Sequence, residues 1–560
     1  MKGILLLVDE LSKQRVIITA ALPYAYDDLH LGHIASTHLP PDILYRYLRL
    51  KGISVIQVCA SDDFGTPILI AAEKQHVDPS VYVERWNARF REDLGKLGIV
   101  YDLFDRTSSP ENVELVQRFF TKLNENGFIY VSDVDQFYCE NDRKFLPDRY
   151  VKGKCPYCGT EEQYSDVCEN CGRTLQPGQI LNPHCSICGR PPVLKKSTHY
   201  FFKLSGFSKQ LEQWLTETPG LQGDVKKYVL NWIKDGLQDW DITRDISWGV
   251  PVPLKEAEGK VLYGWFDNHL CYISTALKFA GKSGKEGRDY WNGSKVYHFI
   301  GKDIVYHHYL FLPSMRLGEG EYRLPDYIPT RGHLLLLGRK VSRSKHWMIT
   351  VREFLEHFPP DYLRFYLTRI TPLSQSDSNF DLKEFADKIN NELVASVGNF
   401  VYRALSFVQS KHGGRVPSPT GKGEAEEEVA RELEKAVKET GELIELGHYD
   451  RALRRALDFS ASCNQYFQKK APWEKRADEP TTLYYSCNLV AGLATLISPF
   501  LPFSSREIWA QLGFQGQPEG ESWGSASSFR IEAGRRIGEA KPIFRKIEDA
   551  DLGSVRVLLG

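Results

Sequence analysis

A strand, a turn-rich loop and a helix follow one another in residues 15–52, and this stretch constrains the fold most. The β-branched run 16–19 predicts a buried parallel strand, and residues 23–28 (Pro-Tyr-Ala-Tyr-Asp-Asp) predict a turn. The helix is expected to open at residues 30–33, which read His-Leu-Gly-His. Unpaired backbone N–H groups and the positive end of the helix dipole meet there and favour an anion. Gly32 leaves a ligand room beside the backbone, and the imidazoles of His30 and His33 can donate to phosphate oxygens.

A second polar motif stands far downstream, at residues 338–345, which read Gly-Arg-Lys-Val-Ser-Arg-Ser-Lys. It follows the apolar run 334–337, and its small hydroxyl residues alternate with cations. Such a sequence suits a mobile loop that grips a polyphosphate. Each motif alone is more often structural, as a capped helix or a solvated basic loop. Their joint occurrence, in this order, favours a nucleotide site.

Composition limits the classes of protein that this chain can belong to. At 560 residues and 64.0 kDa it exceeds a single core, so we expect three or four domains. The formal net charge is −1, with 71 basic and 72 acidic residues, so any RNA-binding surface must be a local patch. No apolar run approaches the roughly 18 residues of a membrane span. The first eight residues lack a signal-peptide cleavage site, and we expect a cytosolic protein without membrane contact.

The first part of the chain alternates strands and helices, from residue 15 to about 115, as in a doubly wound sheet. Its second strand is expected at 54–60. Asp62 follows that strand at the edge where ligands of parallel sheets bind, and it can hold an amino group. An N-cap role for Asp62 is the alternative. Residues 116–245 break the pattern, which resumes with a strand at 295–300, so the sequence predicts a nucleotide-binding fold split by an insertion.

The last third of the chain is predicted to be helical. Residues 331–385 carry the basic loop and a short mixed segment, and the helical pattern begins at about residue 386. Apolar residues recur at helical spacing in 429–444 and 452–467, after a polar connection at 411–428. This pattern indicates a helix bundle.

Two Cys-x-x-Cys pairs, each followed by glycine, predict a metal site in the insertion. The four cysteines are Cys155, Cys158, Cys168 and Cys171. In a cytosolic chain such pairs indicate metal binding rather than disulfides. Four thiolates suit tetrahedral Zn²⁺ and leave no open position, so the predicted role is structural.

A second metal site is incomplete in the sequence. Cys185 and Cys188 form a third pair, whereas Cys139 is followed by Asp142 where a second cysteine would complete a knuckle. Three thiolates and one carboxylate can bind zinc, and His184 is a rival fourth ligand. The sequence leaves open whether the chain binds one zinc ion or two.

Together the two polar motifs resemble the paired HIGH and KMSKS signatures of class I aminoacyl-tRNA synthetases. The resemblance narrows to methionyl-tRNA synthetases, archaeal or eukaryotic in style. Besides the knuckles, it is carried by Ala-Leu-Pro-Tyr at 21–24, Phe-Leu-Pro-Asp-Arg at 145–149 and His-Phe-Ile-Gly-Lys-Asp-Ile at 298–304.

The resemblance implies an α/β protein: a split Rossmann catalytic domain with a zinc-knuckle connective insertion, followed by an all-α anticodon-binding bundle. The implied segments are 1–115 and 246–330 for the halves of the catalytic domain, 116–245 for the insertion, 331–385 for the KMSKS-type loop with a stem-contact segment, and 386–560 for the anticodon-binding domain.

The implied reaction has two steps. Methionine and ATP, accompanied by Mg²⁺, form methionyl-adenylate, whose acyl group then passes to tRNA(Met). By resemblance the catalytic residues are His30, His33, Lys340 and Arg343. The residues that the resemblance implies for ATP binding are Gly32, Gly301, Lys302, Asp303, Ser342 and Ser344. The amino acid pocket comprises Ala21, Leu22, Tyr24, Asp62, Trp265, Tyr272, Ile304 and His308. The anticodon CAU is read by Asn399, Arg403 and Trp473.

Several positions depart from the family pattern. Arg343 replaces a usual lysine and keeps the charge on a planar fork. Asn268 and His269 stand where Ala-Pro is common, Leu312 where tryptophan is usual, and Phe64 where histidine is usual. Loss of the tryptophan is expected to leave space and to loosen the pocket. The alternatives are a paralogue that activates another amino acid or carboxylate, and a non-catalytic RNA-binding relative. We expect a monomer, with tRNA affinity that depends on a separate tRNA-binding protein.

Overall fold

The computed structural model describes residues 15–146, 150–165, 168, 170–171, 173, 175, 178–263, 265–341, 347–474 and 476–557. Five parallel strands form its central sheet. In spatial order they are Thr330–Arg331, Ser294–Gly301, Arg15–Ala20, Val55–Ser61 and Leu103–Arg106. The first strand in sequence is therefore central, with Ile17 paired to Ile56 on one side and to Val296 on the other. The buried, β-branched residues of this strand suit a sheet covered on both faces.

The order of these strands creates a crevice beside the first strand. The chain proceeds from Arg15–Ala20 outward to Leu103–Arg106 and later returns to the other side of the first strand with Ser294–Gly301. Loops at the carboxyl ends of two neighbouring strands therefore diverge, and ligands of open parallel sheets bind at such a point.

In the sequence between the strands Leu103–Arg106 and Ser294–Gly301, the chain forms antiparallel sheets. The largest has the order Trp240–Asp241, Val193–Phe202, Ile129–Cys139 and Lys144–Phe145. The second contains Gln163–Tyr164, Val151–Lys154 and Leu181–Cys185, and the third contains Thr243–Arg244, Val261–Leu262 and Val250–Pro251. The helix Pro110–Glu125 runs across the boundary predicted at residue 115 and packs against the helix Cys271–Ala280 of the second half of the central fold.

The remaining small sheet carries the basic loop. It consists of Arg339–Lys340, Leu334–Leu336 and Ser378–Phe380. The helices around the central sheet are Leu31–His33, Leu39–Leu50, Thr66–Gln75, Pro79–Lys96, Pro110–Glu125, Ser208–Glu217, Gly223–Asp235, Trp265–Asn268, Cys271–Ala280, Gly284–Asn292 and Leu312–Glu319. Wide π turns at Ile34–His38 and His307–Phe311 precede two of them.

The C-terminal part is a helix bundle, as the sequence predicts. Its helices are Val351–His357, Pro360–Ile370, Leu382–Lys388, Asn399–His412, Glu424–Glu445, Tyr449–Lys470, Glu479–Ile497, Pro502–Gln511 and Asp549–Val557. Two of them exceed the predicted 429–444 and 452–467, because their outer turns consist mostly of charged residues, although Glu426 and Tyr449 in those turns are buried. Glu424, Glu426 and Glu427 occupy the first turn of Glu424–Glu445, where carboxylates favour a helix start.

The bundle packs directly on the central sheet and its helices. The guanidinium of Arg364, fully buried, pairs with Asp42 over 2.7 Å and donates to the carbonyl of Phe500 over 2.8 Å. Tyr47 donates a 2.6 Å hydrogen bond to Glu445 from the helix Leu39–Leu50, which also carries Asp42. One continuous apolar core therefore joins the central sheet to the bundle. Among the helices that the structure describes, none is long and apolar enough to cross a membrane.

Candidate active site

A cavity of about 560 Å³ opens at the carboxyl ends of the central strands. Its walls include the loops after Arg15–Ala20, Val55–Ser61 and Ser294–Gly301, together with residues from the segments 265–272 and 333–341. The lining includes all eight residues predicted for the amino acid pocket: Ala21, Leu22, Tyr24, Asp62, Trp265, Tyr272, Ile304 and His308. It also includes His30, Gly32, His33, Gly301, Asp303 and Lys340 of the predicted catalytic and ATP sites.

The two histidines of the first motif are held by backbone hydrogen bonds. Nδ1 of His30 accepts from the N–H of Gly32 over 3.1 Å, and Nδ1 of His33 accepts from the N–H of His30 over 3.2 Å. The rings stack with centroids 3.8 Å apart. Because both Nδ1 atoms accept, the proton of each neutral ring lies on Nε2. The backbone thus fixes two imidazole donors side by side.

Gly32 is needed for this arrangement. A Cβ at position 32 would lie 2.9 Å from Cε1 of His30, closer than real Cβ contacts come. The space that glycine leaves is thus taken first by the ring of His30, rather than by the ligand that the sequence predicts there.

The histidine motif is also tied to the segment that follows the basic loop. Leu31 donates its N–H to the carbonyl of Ile349 over 3.2 Å, and Val351 donates to the carbonyl of Leu29 over 2.9 Å. On the other side of the loop, the short strand Arg339–Lys340 places Lys340 on the cavity wall. Both ends of the basic loop are therefore anchored beside the histidines.

The predicted residues Ser342, Arg343 and Ser344 lie outside the residues that the structure describes. They remain predictions from the sequence.

A group of carboxylates lies at one end of the cavity. Asp62 lines it, and burial raises the pKa of Asp62 to about 7. Asn268 opposes that rise by donating from Nδ2 to Oδ2 of Asp62 over 3.3 Å. Burial also raises the pKa of Asp63, to about 6, and that of Asp267, well above its usual value. An ammonium group bound beside Asp62 would pair with its carboxylate and favour the ionised form.

Aromatic side chains in one wall of the cavity are held by hydrogen bonds and stacking. The pKa of His308 is lowered to about 4 by burial, so its ring is neutral, with Nδ1–H donating to the carbonyl of Ile304 over 3.0 Å. Nε2 of His308 then accepts from the hydroxyl of Tyr272 over 2.9 Å. Trp265 stacks on His307 with centroids 4.0 Å apart. These contacts orient Trp265 and Tyr272 without a ligand.

Only some of the residues that depart from the family pattern line the cavity. Asn268 and His269 line it, and both are buried. Leu312 is buried in the core, and the described lining does not include it, so the space expected from this exchange does not open there. Phe64 packs against Trp248 with ring centroids 5.2 Å apart, also away from the described lining.

Another side of the cavity is formed by the loop after Ser294–Gly301. A Cβ at Gly301 would lie 2.5 Å from Oδ1 of Asp303, so glycine lets that carboxylate fold over the backbone. Nε2 of His333 lies 3.6 Å from the same oxygen. His333 also lines the cavity and was not predicted, although it follows the strand Thr330–Arg331 at the carboxyl edge. Nζ of Lys302 forms an ion pair with Asp377 over 2.6 Å, and Lys302 is not in the described lining of the cavity.

Two groups of potential metal ligands lie in the insertion. The ligand atoms of Cys155, Cys158, Cys168 and Cys171 all lie within 4.8 Å of one another. The Sγ atoms of Cys158 and Cys168 are 3.6 Å apart, and those of Cys155 and Cys171 are 3.9 Å apart. Tetrahedral Zn–S bonds place sulfur atoms about 3.8 Å apart, so the four thiols fit a metal ion.

The second group consists of Cys139, Asp142, Cys185 and Cys188. Oδ2 of Asp142 lies 3.1 Å from Sγ of both Cys139 and Cys185. The rival ligand His184 instead pairs with Glu162 over 3.3 Å. Asp142 thus occupies the fourth position of this group.

The three predicted anticodon residues lie on the surface of the bundle. Asn399 and Arg403 are one turn apart on the helix Asn399–His412. The guanidinium carbon of Arg403 lies 5.2 Å from the ring centroid of Trp473, which is 36% exposed. Nδ2 of Asn399 lies 3.4 Å from Oδ1 of Asn464. The structure brings Arg403 and Trp473 together across two elements that are distant in sequence.

Comparisons with known proteins show which family the chain belongs to. A family model described as "tRNA synthetases class I (M)" matches residues 16–405, and one described as "Anticodon binding domain of methionyl tRNA ligase" matches residues 416–557. The chain is 40% identical to a methionine–tRNA ligase of Methanopyrus kandleri over 554 residues, which cover 97% of this chain and 82% of that one. It is 41% identical to the ligase of Thermococcus onnurineus, over 96% and 75% of the two chains.

Among solved structures, the fold resembles a Mycobacterium tuberculosis methionyl-tRNA synthetase bound by methionyl-adenylate, with a TM-score of 0.78 and 24% identity over 95% of this chain and 100% of that one. That likeness is one of fold. The family models and the archaeal relatives show that the chain belongs to the methionyl-tRNA synthetases, within the class I aminoacyl-tRNA synthetases.

Proposed function

We propose that this chain is a methionine–tRNA ligase, which activates methionine with ATP and transfers it to tRNA(Met). Family membership supports the reaction, and one observation supports its location. A single cavity joins a carboxylate, Asp62, to a fixed pair of imidazoles, His30 and His33. An amino acid ammonium fits the first and a polyphosphate fits the second.

In the first step, a carboxylate oxygen of methionine attacks the α-phosphorus of ATP. The bond from that phosphorus to the bridging oxygen breaks, and pyrophosphate leaves with the bonding electrons. Negative charge grows on the phosphate oxygens, and the Nε2–H groups of His30 and His33 stabilise it from fixed positions. Lys340 supplies a cation from the cavity wall, and Arg343 is assigned the same role by its motif. Mg²⁺ accompanies ATP as its counter-ion.

We assign the nucleotide to the region of Gly32, Gly301 and Asp303, with Ser342 and Ser344 from the basic loop. In this region Lys302 forms an ion pair with Asp377 and so fixes its position. Asp377 in turn accepts the backbone N–H of His333 over 2.8 Å. This chain of contacts supports a role for Lys302 in shaping the loop that carries His333, beside Asp303.

Amino acid selection is assigned to the other end of the cavity. Asp62 binds the ammonium, while Tyr24, Trp265 and Ile304 enclose the thioether. Sulfur–aromatic contacts favour such a wall. Ala21, Leu22, Tyr272 and His308 complete it, with Tyr272 oriented by its hydrogen bond to His308.

For the metal groups we propose two structural zinc ions. One is held by four thiolates, Cys155, Cys158, Cys168 and Cys171, and the other by three thiolates and a carboxylate, Cys139, Cys185, Cys188 and Asp142. Zinc bound there stabilises a small segment that has little apolar core of its own. Neither group leaves an open position for a substrate.

In the second step, the terminal ribose of tRNA(Met) takes the acyl group from the adenylate. We assign recognition of the anticodon CAU to Asn399, Arg403 and Trp473. An exposed indole beside a guanidinium is a platform on which unstacked loop bases bind. We further propose a cytosolic monomer whose affinity for tRNA is raised by a separate tRNA-binding protein.

The direct test of the whole reaction is charging of tRNA. Purified full-length protein is incubated with ATP, Mg²⁺, labelled methionine and a tRNA(Met) transcript, and acid-stable label on the tRNA is measured. A transcript with its anticodon changed from CAU is the control. We expect charging of the first and at least about tenfold weaker charging of the second, which follows if base stacking contributes about 1–3 kcal/mol per base.

A further inference from the structure

The wall of the amino acid pocket contains polar atoms that no described part of the protein satisfies. Both ring nitrogens of His269 and the amide oxygen of Asn268 are buried, and within the described ranges none has a hydrogen-bond partner. His269 is 1% exposed and Asn268 is 4% exposed. Both side chains line the cavity that holds Asp62 and Trp265.

The surroundings of His269 explain why its nitrogens lack partners. Its ring lies beside Trp265, with centroids 5.6 Å apart, and edge-on to His308 at 4.7 Å. The nitrogens of His308 are already used, by Ile304 and Tyr272. Phe311, with its centroid 6.2 Å away, offers no hydrogen bond.

Burial also fixes the chemical state of His269. The pKa of His269 is lowered well below its usual value, chiefly by burial and then by the neighbouring His308. The neutral ring has one N–H donor and one acceptor nitrogen. Buried groups of this kind are normally paired with protein, water or ligand, because leaving them unpaired is costly. An apolar residue at this position would carry no such cost, so the imidazole points to a polar ligand.

We propose that His269 is a specificity-determining residue that lets the pocket accept amino acids of methionine length whose side chain carries a hydrogen-bond acceptor near its end, such as the sulfinyl oxygen of methionine sulfoxide. This rests on the proposed function, because the same cavity, Asp62 and ATP site are used. The neutral N–H of His269 donates to the sulfinyl oxygen, while Trp265 contacts the methylene groups. The reaction at the carboxylate is unchanged: the carboxylate oxygen bonds to the α-phosphorus and pyrophosphate leaves.

A hydrogen bond of this kind changes selectivity more than a methylene group does. An apolar pocket disfavours a ligand that carries an added polar group by only about 10²-fold, because that group loses its hydrogen bonds to water on binding. A hydrogen-bond donor placed beside the added oxygen offsets that loss. His269 therefore reduces the discrimination against the sulfoxide relative to an apolar wall.

The test is ATP–pyrophosphate exchange by the full-length protein with L-methionine and with L-methionine sulfoxide. The measured quantity is the ratio of the two kcat/KM values. In the unmodified protein we expect sulfoxide-dependent exchange within about 100-fold of that with methionine. His269→Phe keeps an aromatic ring but removes both nitrogens, and it should raise the discrimination against the sulfoxide at least about tenfold. His269→Gln keeps a donor and should retain exchange with the sulfoxide.

His357→Phe is the matched control, since it makes the same exchange at a histidine of the helix Val351–His357, outside the described lining of the cavity. It should leave the ratio of the two kcat/KM values unchanged. Exchange with methionine but none with the sulfoxide in the unmodified protein would overturn the proposal, and would mean that water satisfies His269. An unchanged ratio in His269→Phe would overturn it as well. Absence of exchange with methionine itself would instead refute the proposed function.

Discussion

Nδ2 of Asn268 donates a 3.3 Å hydrogen bond to Oδ2 of Asp62, inside the cavity to which we assign the amino acid. This bond stabilises the ionised carboxylate, whereas burial raises the pKa of Asp62 to about 7. The carboxylate must be ionised to bind an ammonium group. The charge of Asp62, and with it the affinity for the amino acid, therefore changes near neutral pH.

The first prediction follows from this titration. Because a protonated Asp62 cannot pair with an ammonium, the KM for methionine should rise as the pH falls below about 7, while the KM for ATP changes little. Asn268→Ala removes the hydrogen bond and should raise the pKa of Asp62 further. A rise of about one unit would raise the KM for methionine up to about tenfold at pH 6.5 and hardly at all at pH 8.5.

The measurement is the pH dependence of methionine-dependent ATP–pyrophosphate exchange between pH 6 and 8.5, for both proteins. Parallel profiles, with the same effect of Asn268→Ala at pH 6.5 and 8.5, would contradict control of the charge on Asp62 by this bond.

The second prediction concerns the stacked histidines. His30→Asn and His33→Asn each remove an imidazole donor, and each should lower kcat for exchange by about 10²- to 10³-fold, as loss of one preorganised donor does. The KM for methionine should change much less. His76→Asn is the matched control, because His76 is exposed and at φ 54°, where asparagine is tolerated. A loss of kcat below about threefold for His30→Asn would argue against a role in stabilising the transition state.

A third prediction separates tRNA recognition from activation. Trp473→Ala removes the exposed ring under Arg403 and should raise the KM for tRNA by about fivefold or more, since stacking contributes about 1–3 kcal/mol per base. Exchange with methionine should be unaffected, because Trp473 lies on the bundle surface. Phe503→Ala, at an exposed aromatic residue on another helix of the same domain, is the control. Equal losses of charging and exchange would contradict an anticodon role for Trp473.

The fourth prediction is a metal content of two zinc equivalents, measured by mass spectrometry of purified protein. Cys158→Ser should remove one equivalent, and Asp142→Ala should remove the other. Glu140→Ala is the control for the second site, because Glu140 is an exposed carboxylate that pairs with Lys195 instead. One equivalent in the unmodified protein, unaltered by Asp142→Ala, would show that the carboxylate site does not hold zinc.

The main positions of the site can be predicted from the sequence because short local patterns determine them. The β-branched run 16–19 and the turn after it place the histidines, and the residues that follow parallel strands, such as Asp62 and Gly301, meet at one edge. The Cys-x-x-Cys spacing predicts the first thiolate group. The choice of Asp142 over His184 was open in the sequence, since only the fold shows that His184 pairs with Glu162.

Other features depend on packing between distant segments. That Leu312 is buried in the core while His269 lines the cavity follows from how helices pack, and sequence position does not reveal it. The hydrogen bonds that tie Leu31 to Ile349 join segments far apart in the chain. His333 could have been suspected, because it follows a short strand at the carboxyl edge, but that strand has only two residues. The extra turns of the bundle helices consist mostly of charged residues, so the apolar pattern indicates them only weakly, although Tyr449 in one of them is buried.

The central claim is that the cavity activates methionine. It is tested most directly by amino-acid-dependent ATP–pyrophosphate exchange, run across the standard amino acids with folded, zinc-loaded protein. We predict that methionine supports the highest kcat/KM among them. Stronger exchange with another standard amino acid would make the chain a paralogue with a changed substrate, and no exchange with any of them would contradict a catalytic role for the site.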